Sequence, residues 1–337
     1  MPEPDEQLPV SVIACFYNEE RYLPGFFSNV EASFLGCAQL VLVDDGSTDD
    51  TPSLLSAWAD GKPEVVVVRA PQNQGLAESR NLGLRSAERP YAWFIDADDS
   101  WPPHALTTLA AAALAHDADM VIGCADYRRP AAQQGRRIDG VPRSTVLDRK
   151  GALDLMLRGE IQGFLWSKLI RVSALAGDVF PANSPQEDFV GTVTALSRSA
   201  TVVTVSETVY TYLNREASLS RTRNPALDRY AIARDSLVRV ARDEGFDPIL
   251  IEYFQLWFHA IAVAFTPVRF RASPATVRLG TRLARAEIAT FDLSRIARID
   301  RKAVLHARLI SHSGPFYAPA LRLALSVHGL ARSVRGR

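Results

Sequence analysis

Short apolar runs recur along the first third of the chain, and each is stopped by a polar cluster. Residues 10–15 (VSVIAC) lead into Phe16, Tyr17, Asn18, Glu19 and Glu20, and residues 40–43 (LVLV) into Asp44, Asp45, Gly46 and Ser47. Residues 65–68 (VVVV) precede a polar glycine loop, residues 91–95 (YAWFI) stop at Asp96, Asp98 and Asp99, and residues 120–123 (MVIG) form a fifth run. Runs of this length, rich in β-branched and aromatic residues, read as buried strands. Helical spacing fills the intervals, ending near residue 32, covering 52–58 and 76–86, and continuing through an Ala/Leu stretch to His116. Ser47 or Thr48, and later Ser100, stand where helix N-caps are expected, and Pro102 suits a first helical turn. The alternation predicts an α/β domain with a mostly parallel sheet covered by helices on both faces. In such sheets ligands bind beyond the carboxyl ends of the strands, so these polar clusters would meet at one rim.

The pattern then changes. Residues 125–147 are rich in Arg, Gln, Gly and Pro and read as an exposed hairpin or loop; 148–200 return to helical patterning, and 201–212 (TVVTVSETVYTY) read as a strand. After Asn224-Pro225 the chain is helical almost throughout, broken at Asp247-Pro248, Ser273-Pro274 and Gly314-Pro315. A boundary near residue 222 gives two domains, 1–222 and a helical 223–337. The longest apolar stretch, residues 253–268, is shorter than the ~20 residues of a membrane span and contains Gln255 and His259, so it reads as a buried helix.

Composition narrows the class. The chain has 337 residues, enough for two cores, and 38 basic residues balance 38 acidic ones. The balance hides a gradient: residues 1–100 carry 17 acidic and 6 basic side chains, whereas 201–337 carry 11 and 21. The basic residues are scattered without stacking aromatics, which argues against nucleic-acid binding. Cys15, Cys37 and Cys124 lack metal or disulfide spacing, and the start of the chain has no apolar run, so a cytoplasmic setting is expected. Neither a dinucleotide-binding glycine motif nor a P-loop is present.

Three clusters can carry chemistry. Asp96 and Asp98 offer a pair of hard oxygen donors of the kind Mg²⁺ or Mn²⁺ takes together with substrate phosphates, although Asp in this position also suits a helix cap. Asp44 and Asp45 could accept a hydrogen bond from a nucleobase or ribose, or simply form a turn. The polar loop at Asn73 opens a helix carrying Arg80 and Asn81 one turn in, so a helix N-terminus and a guanidinium could face an anion.

Taken in order, VSVIACFYNEE, VLVDDGSTDDT, NQGLAESRNLG, WFIDADD, LWSKLIR, QEDF and VYTYLNREASLS resemble the family 2 glycosyltransferases over residues 8–220. The resemblance implies a GT-A-type, Rossmann-like fold and transfer of a sugar, with inversion, from a nucleotide diphosphate donor, most often UDP-linked, to an acceptor hydroxyl. It further implies a divalent cation, Mn²⁺ or Mg²⁺, on Asp98 with Asp96, and Asp99 in support. Donor contacts would come from Phe16, Tyr17, Glu19, Asp44 or Asp45, Asn73, Arg80, Asp96, Arg215, Ser218 and Ser220. Asp188 would be the catalytic base with Glu187 beside it, and Trp166 and Lys168 would line the acceptor side, with Ser167 standing where the family has Asn. The acceptor would be a glycan, a polyol-phosphate or a lipid-linked sugar. The processive synthases' Gln-x-x-Arg-Trp motif is absent. A non-catalytic nucleotide-sugar or glycan-binding protein of the same fold is the alternative. No family motif falls in 223–337, whose basic, weakly amphipathic end at 317–337 could lie peripherally on the inner face of an anionic membrane or pack against the first domain or a second subunit.

Overall fold

A computed structural model describes residues 7–34, 36–128, 135–182, 186–213 and 230–334. The chain divides into two compact units, 1–215 and 216–337. The first contains β1 (Val10–Phe16), α1 (Leu23–Ser33), β2 (Gln39–Asp44), α2 (Thr51–Ala59), β3 (Val65–Arg69), α3 (Leu76–Arg85), β4 (Tyr91–Asp96) and α4 (Ala105–His116). It continues with β5 (Met120–Arg128), β6 (Arg136–Asp139), β7 (Thr145–Asp148), α5 (Arg149–Leu157), β8 (Lys168–Arg171), α6 (Glu187–Arg198) and β9 (Thr201–Leu213). The strands form one mixed sheet in the order β3-β2-β1-β4-β8-β5-β9-β7, with β6 on β5. Its first four strands are parallel.

Because side chains alternate across a strand, each strand feeds two cores. Val10, Val12, Ala14 and Phe16 of β1 join Leu40 and Leu42 of β2, Phe26 and Val30 of α1, and Leu106 and Leu109 of α4. Trp101, just before α4, packs edge-on against Trp93 and Phe26 in this layer. On the other face Ile13 and Val43 meet α3 at Gly83, where a Cβ would lie 2.5 Å from Ile13 Cγ2. Helices therefore cover both faces of the sheet, and glycine sets how closely α3 lies on β1.

The sheet departs from the expected pattern at β8. Lys168–Arg171 lies in a stretch whose spacing reads as helical, yet it fills the sheet antiparallel to both β4 and β5. Four residues are too few to establish a period, and the full burial of Leu169 and Ile170 decides the matter. The stretch at 125–147, expected as an exposed hairpin or loop, holds the end of β5 paired antiparallel with β6, followed by β7. The helix caps also differ from expectation. Ser47 Oγ accepts the Asn18 N–H instead of capping α2, and Ser100 bridges to Thr211.

The second unit contains α7 (Ala231–Asp243), α8 (Pro248–Phe254), a π-helical turn (Gln255–Ala260), α9 (Ile261–Arg269), α10 (Pro274–Ile288), α11 (Leu293–Ile296), α12 (Arg301–His312) and α13 (Tyr317–Val334). The breaks before α8 and α10 are capped, Asp247 accepting from Ile249 N at 2.9 Å and Ser273 from Thr276 N at 3.1 Å. Residues Pro248–Arg269 form one helical run of 22 residues containing an 18-residue window of mean hydropathy 1.4, so the expectation of a stretch too short to span a membrane fails on length. Core helices pass the same test, and 61% of this window is buried inside the protein.

Gly83→Ala should lower stability by about 1–3 kcal/mol, because the buried, β-branched Ile13 cannot swing away from the added methyl. Urea denaturation followed by tryptophan fluorescence would measure this.

Candidate active site

In the parallel part of the sheet β1 lies between β2 and β4, with Phe16 opposite Asp44 and Cys15 opposite Asp96. The polar clusters that stop these three strands therefore emerge side by side. The loop after β1 is stitched to the loop after β2. Asn18 N donates to Ser47 Oγ at 2.9 Å, Thr48 N to Asn18 Oδ1 at 2.8 Å, Glu19 N to Thr51 Oγ1 at 2.9 Å, and Asp50 N to Glu20 Oε2 at 3.0 Å. Asn18 adopts φ 55°, a left-handed conformation that Asn tolerates better than most residues.

Asp44 and Asp45 are both buried, and their carboxylates are engaged. Asp45 accepts Gln74 N on Oδ1 and Gly75 N on Oδ2, each at 2.9 Å, and so fastens the loop that opens α3. Asp44 accepts Ser47 N at 3.1 Å and faces Arg69 Nε at 3.2 Å. Gly46 permits this crowding, since a Cβ there would lie 2.5 Å from the Gln72 backbone and its φ is +70°. Asn73 is exposed on the same loop, and Tyr17 is 44% exposed after β1. Phe16 is corrected from its expected place on a pocket wall: at 1% exposure it packs edge-on against Phe26 in the core.

Arg80 is the centre of the arrangement. α3 turns it inward, where Nη1 donates to Glu187 Oε1 at 2.7 Å and Nη2 lies 3.8 Å from Asp96 Oδ1. Burial works against its charge, but Asp96, Glu187 and Asp188 outweigh this and hold its pKa above the ordinary value. The anions this guanidinium faces are the protein's own carboxylates. Asn81 next to it is a clamp, donating Nδ2 to Phe180 O at 2.9 Å and accepting Phe180 N at 3.2 Å.

Glu187 and Asp188 open α6, where negative charge is favoured. Burial pushes the Asp188 carboxyl up to about 6, Arg80 pulls it back, and Glu187 and Asp96 add to the rise. Asp99 is pushed further, to about 8, by burial and by repulsion from Asp96 and Asp98. Its Oδ1 accepts Leu213 N at 2.8 Å. The Asp96 N–H donates to the Tyr210 hydroxyl at 3.0 Å. Among the described residues no three His, Cys, Asp or Glu side chains form a ready-made metal cage. The donor set is nevertheless that of a hard cation bound by one or two carboxylates and completed by substrate oxygens, and the repulsion that Asp96 and Asp98 exert on Asp99 shows how closely the acids crowd there.

Lys168 requires a second correction. Expected on the acceptor side, it is fully buried, with Nζ donating to Asp139 Oδ2 at 2.7 Å and to Phe164 O at 2.8 Å. Burial pushes its pKa down while Asp139 and Asp188 oppose the fall. Ser167 Oγ donates to the same Asp139 oxygen, and Asp139 Oδ1 accepts Gly140 N and Gln162 N. Lys168 thus positions the segment that carries Trp166, whose ring is stacked between Phe164 and Tyr210 and only 6% exposed. Cys15, with its thiol pushed up to about 12 by burial, sits beside Arg80, Asp96 and Asp45 and went unassigned in the sequence, as did Asp139 and Tyr210. Only Tyr210 had a signal there, through the Tyr-x-Tyr segment. Arg215, Ser218 and Ser220 lie outside the described residues.

Residues 11–168 match the model of glycosyl transferase family 2. Among curated relatives, a cholesterol galactosyltransferase of Borreliella burgdorferi is 25% identical over 248 residues, 70% of this chain and 68% of that protein. A teichoic acid poly(glycerol phosphate) polymerase of Staphylococcus epidermidis is 32% identical over 99 residues, 29% of this chain and 14% of its own length. The chain spans about half the length, or less, of other curated relatives it matches. Among solved structures, S. aureus TarS 1–349 in complex with UDP-GlcNAc superposes with a TM-score of 0.66 over 90% of each chain at 17% identity, a likeness of fold. The fold is of the GT-A class with a C-terminal helical region. The family match and the relatives' names support a family 2 glycosyltransferase.

Asp139→Ala would leave the Lys168 ammonium buried without its counter-charge. It should destabilise the protein by about 3–5 kcal/mol, readable as a lowered thermal midpoint in calorimetry.

Proposed function

We propose that the protein is an inverting glycosyltransferase that moves a sugar from a nucleotide diphosphate donor, UDP-linked, to an acceptor hydroxyl in polysaccharide, cell-wall polymer or glycolipid synthesis. The observation that carries this reading is the gathering of Asp96, Glu187 and Asp188, from two distant parts of the sequence, around the Arg80 guanidinium beyond the strand ends. The names of relatives active in teichoic acid and glycolipid synthesis, and the UDP-GlcNAc held by TarS, support the substrate class.

Asp188 is the base. As the acceptor oxygen attacks the anomeric carbon, its proton passes to the Asp188 carboxylate, the bond to the diphosphate oxygen breaks, and the electron pair leaves with the nucleoside diphosphate. A carboxyl with a pKa of about 6 is a better proton acceptor than an ordinary one and is still ionised near neutrality. Glu187 holds Arg80, and the charge of Arg80 opposes the rise that burial causes at Asp96 and Asp188. Asp96 and Asp98 would hold a divalent cation, Mn²⁺ or Mg²⁺, which when bound stabilises the charge of the leaving diphosphate. The stitched loops after β1 and β2, with Tyr17, Glu19, Asp44, Asp45 and Asn73, form the donor's side of the site.

Asp188→Asn should cut transfer by about 10²–10⁴-fold while leaving UDP affinity nearly unchanged, measured by product release and by calorimetric titration. Full activity in this variant would overturn the assignment. Asp188 faces Arg80 from α3, Glu187 from its own helix, Asp96 from β4 and Lys168 from β8. Because the base works ionised, kcat/KM should fall about tenfold per pH unit below a midpoint at or under about 6. Slow metal-dependent hydrolysis across a panel of UDP-sugars would separate an enzyme from a non-catalytic binding protein, since the latter releases no UDP from any donor.

A further inference from the structure

In the second unit a cavity of about 600 Å³ is lined, among the described residues, by Val268, Arg269, Arg271, Arg322 and Leu325. Three arginines and two aliphatic residues make up this lining. Arg269 ends α9, Arg271 follows its C-cap, and Arg322 and Leu325 belong to α13. No carboxylate is among these lining residues.

The backbone at Arg271 adds an independent observation. α9 ends with Ala272 N donating to Pro267 O at 2.9 Å and Arg271 N to Val268 O at 3.3 Å. This is a Schellman cap, and its left-handed position is ordinarily glycine. Here it is Arg271, at φ 54°. A side chain is strained in that conformation, and the cap itself would be better served by glycine. The arginine at this position therefore contributes something other than closure of the helix, and what it contributes is a third guanidinium at the cavity.

Arginine matches phosphate oxygens in a planar, two-pronged geometry. The surroundings indicate what carries the phosphate: residues 261–337 hold 14 basic and 3 acidic side chains, and Phe316 and Leu323 are 74% and 68% exposed. Basic charge beside exposed apolar side chains suits the headgroup region of an anionic lipid. We propose that this cavity is a binding site for the phosphodiester headgroup of an anionic amphiphile, with Arg269, Arg271 and Arg322 on the phosphate and Val268 and Leu325 against the adjoining apolar part. The site is independent of the glycosyl-transfer reading, and its failure would leave that reading untouched.

The test uses the full chain and three probes: phosphatidylcholine vesicles with and without phosphatidylglycerol, and soluble glycerophosphoglycerol. Wild type should bind the phosphatidylglycerol vesicles and not the neutral ones. Saturable competition by glycerophosphoglycerol would show that the headgroup alone is recognised, and its absence that the apolar wall is needed as well. The triple variant Arg269→Ala, Arg271→Gly, Arg322→Ala should lose at least tenfold in vesicle affinity. Arg271→Gly alone should weaken binding while leaving the thermal midpoint unchanged or raised, opposite in sign to a purely structural role. Arg278, Arg282 and Arg301 are exposed and do not line the cavity, so their triple alanine variant removes equal charge and should retain most of the binding. An equal loss in both triple variants, or wild type that binds no anionic vesicle at low salt, would overturn the site.

Discussion

The candidate site depends on one buried guanidinium. Asp96, Glu187 and Asp188 converge beyond the strand ends, and unit charges about 4 Å apart interact by about 4 kcal/mol at an effective dielectric of 20. Without a cation among them the three carboxylates would repel one another apart or take up protons. Arg80, only 6% exposed, supplies that cation. It also joins α3 to α6 across 107 residues of sequence. Burial raises the Asp188 carboxyl and Arg80 pulls it back, whereas burial with repulsion from Asp96 and Asp98 raises Asp99. The result is a pKa of about 6 at Asp188 and of about 8 at Asp99.

The second constraint is the Lys168–Asp139 pair, fully buried on both sides. A buried ion pair is weak evidence for stability, because the loss of hydration offsets most of the attraction. Its value here is geometric. Asp139 accepts from Lys168, Ser167, Gln162 and Gly140, so one carboxylate fixes β6, the turn before β8 and the register of β8 in the sheet. β8 in turn separates β4 from β5 and sets where Trp166 and Tyr210 stack.

Much of the fold was legible in the sequence because its strands are nearly continuous apolar runs, such as VLV before Asp44 and WFI before Asp96, and their ends are marked by acids and glycines. β8 was not, since KLIR is too short to show a period and its only distinction is complete burial. Within the site, the carboxylates were legible as types in a spacing, and their gathering followed from the topology. The partners of Arg80 and Lys168 were not legible, because a basic residue looks the same in the sequence whether it faces solvent, an anion or a buried acid. Phe16 shows the complementary limit: it stands in a polar cluster by sequence, but strand alternation turns it into the core with Val12 and Ala14.

The hydrogen bonds between the loops at 18–20 and 47–51 have a consequence for molecular recognition. They run largely from backbone N–H groups of one loop to side chains of the other, so the wall is already rigid before any ligand arrives. Ordering a mobile side chain or loop on binding costs about 0.5–1.5 kcal/mol for each flexible group. A surface whose entropy was surrendered during folding is spared that cost at every encounter, and discrimination between ligands there rests on fit, with little left to adaptation.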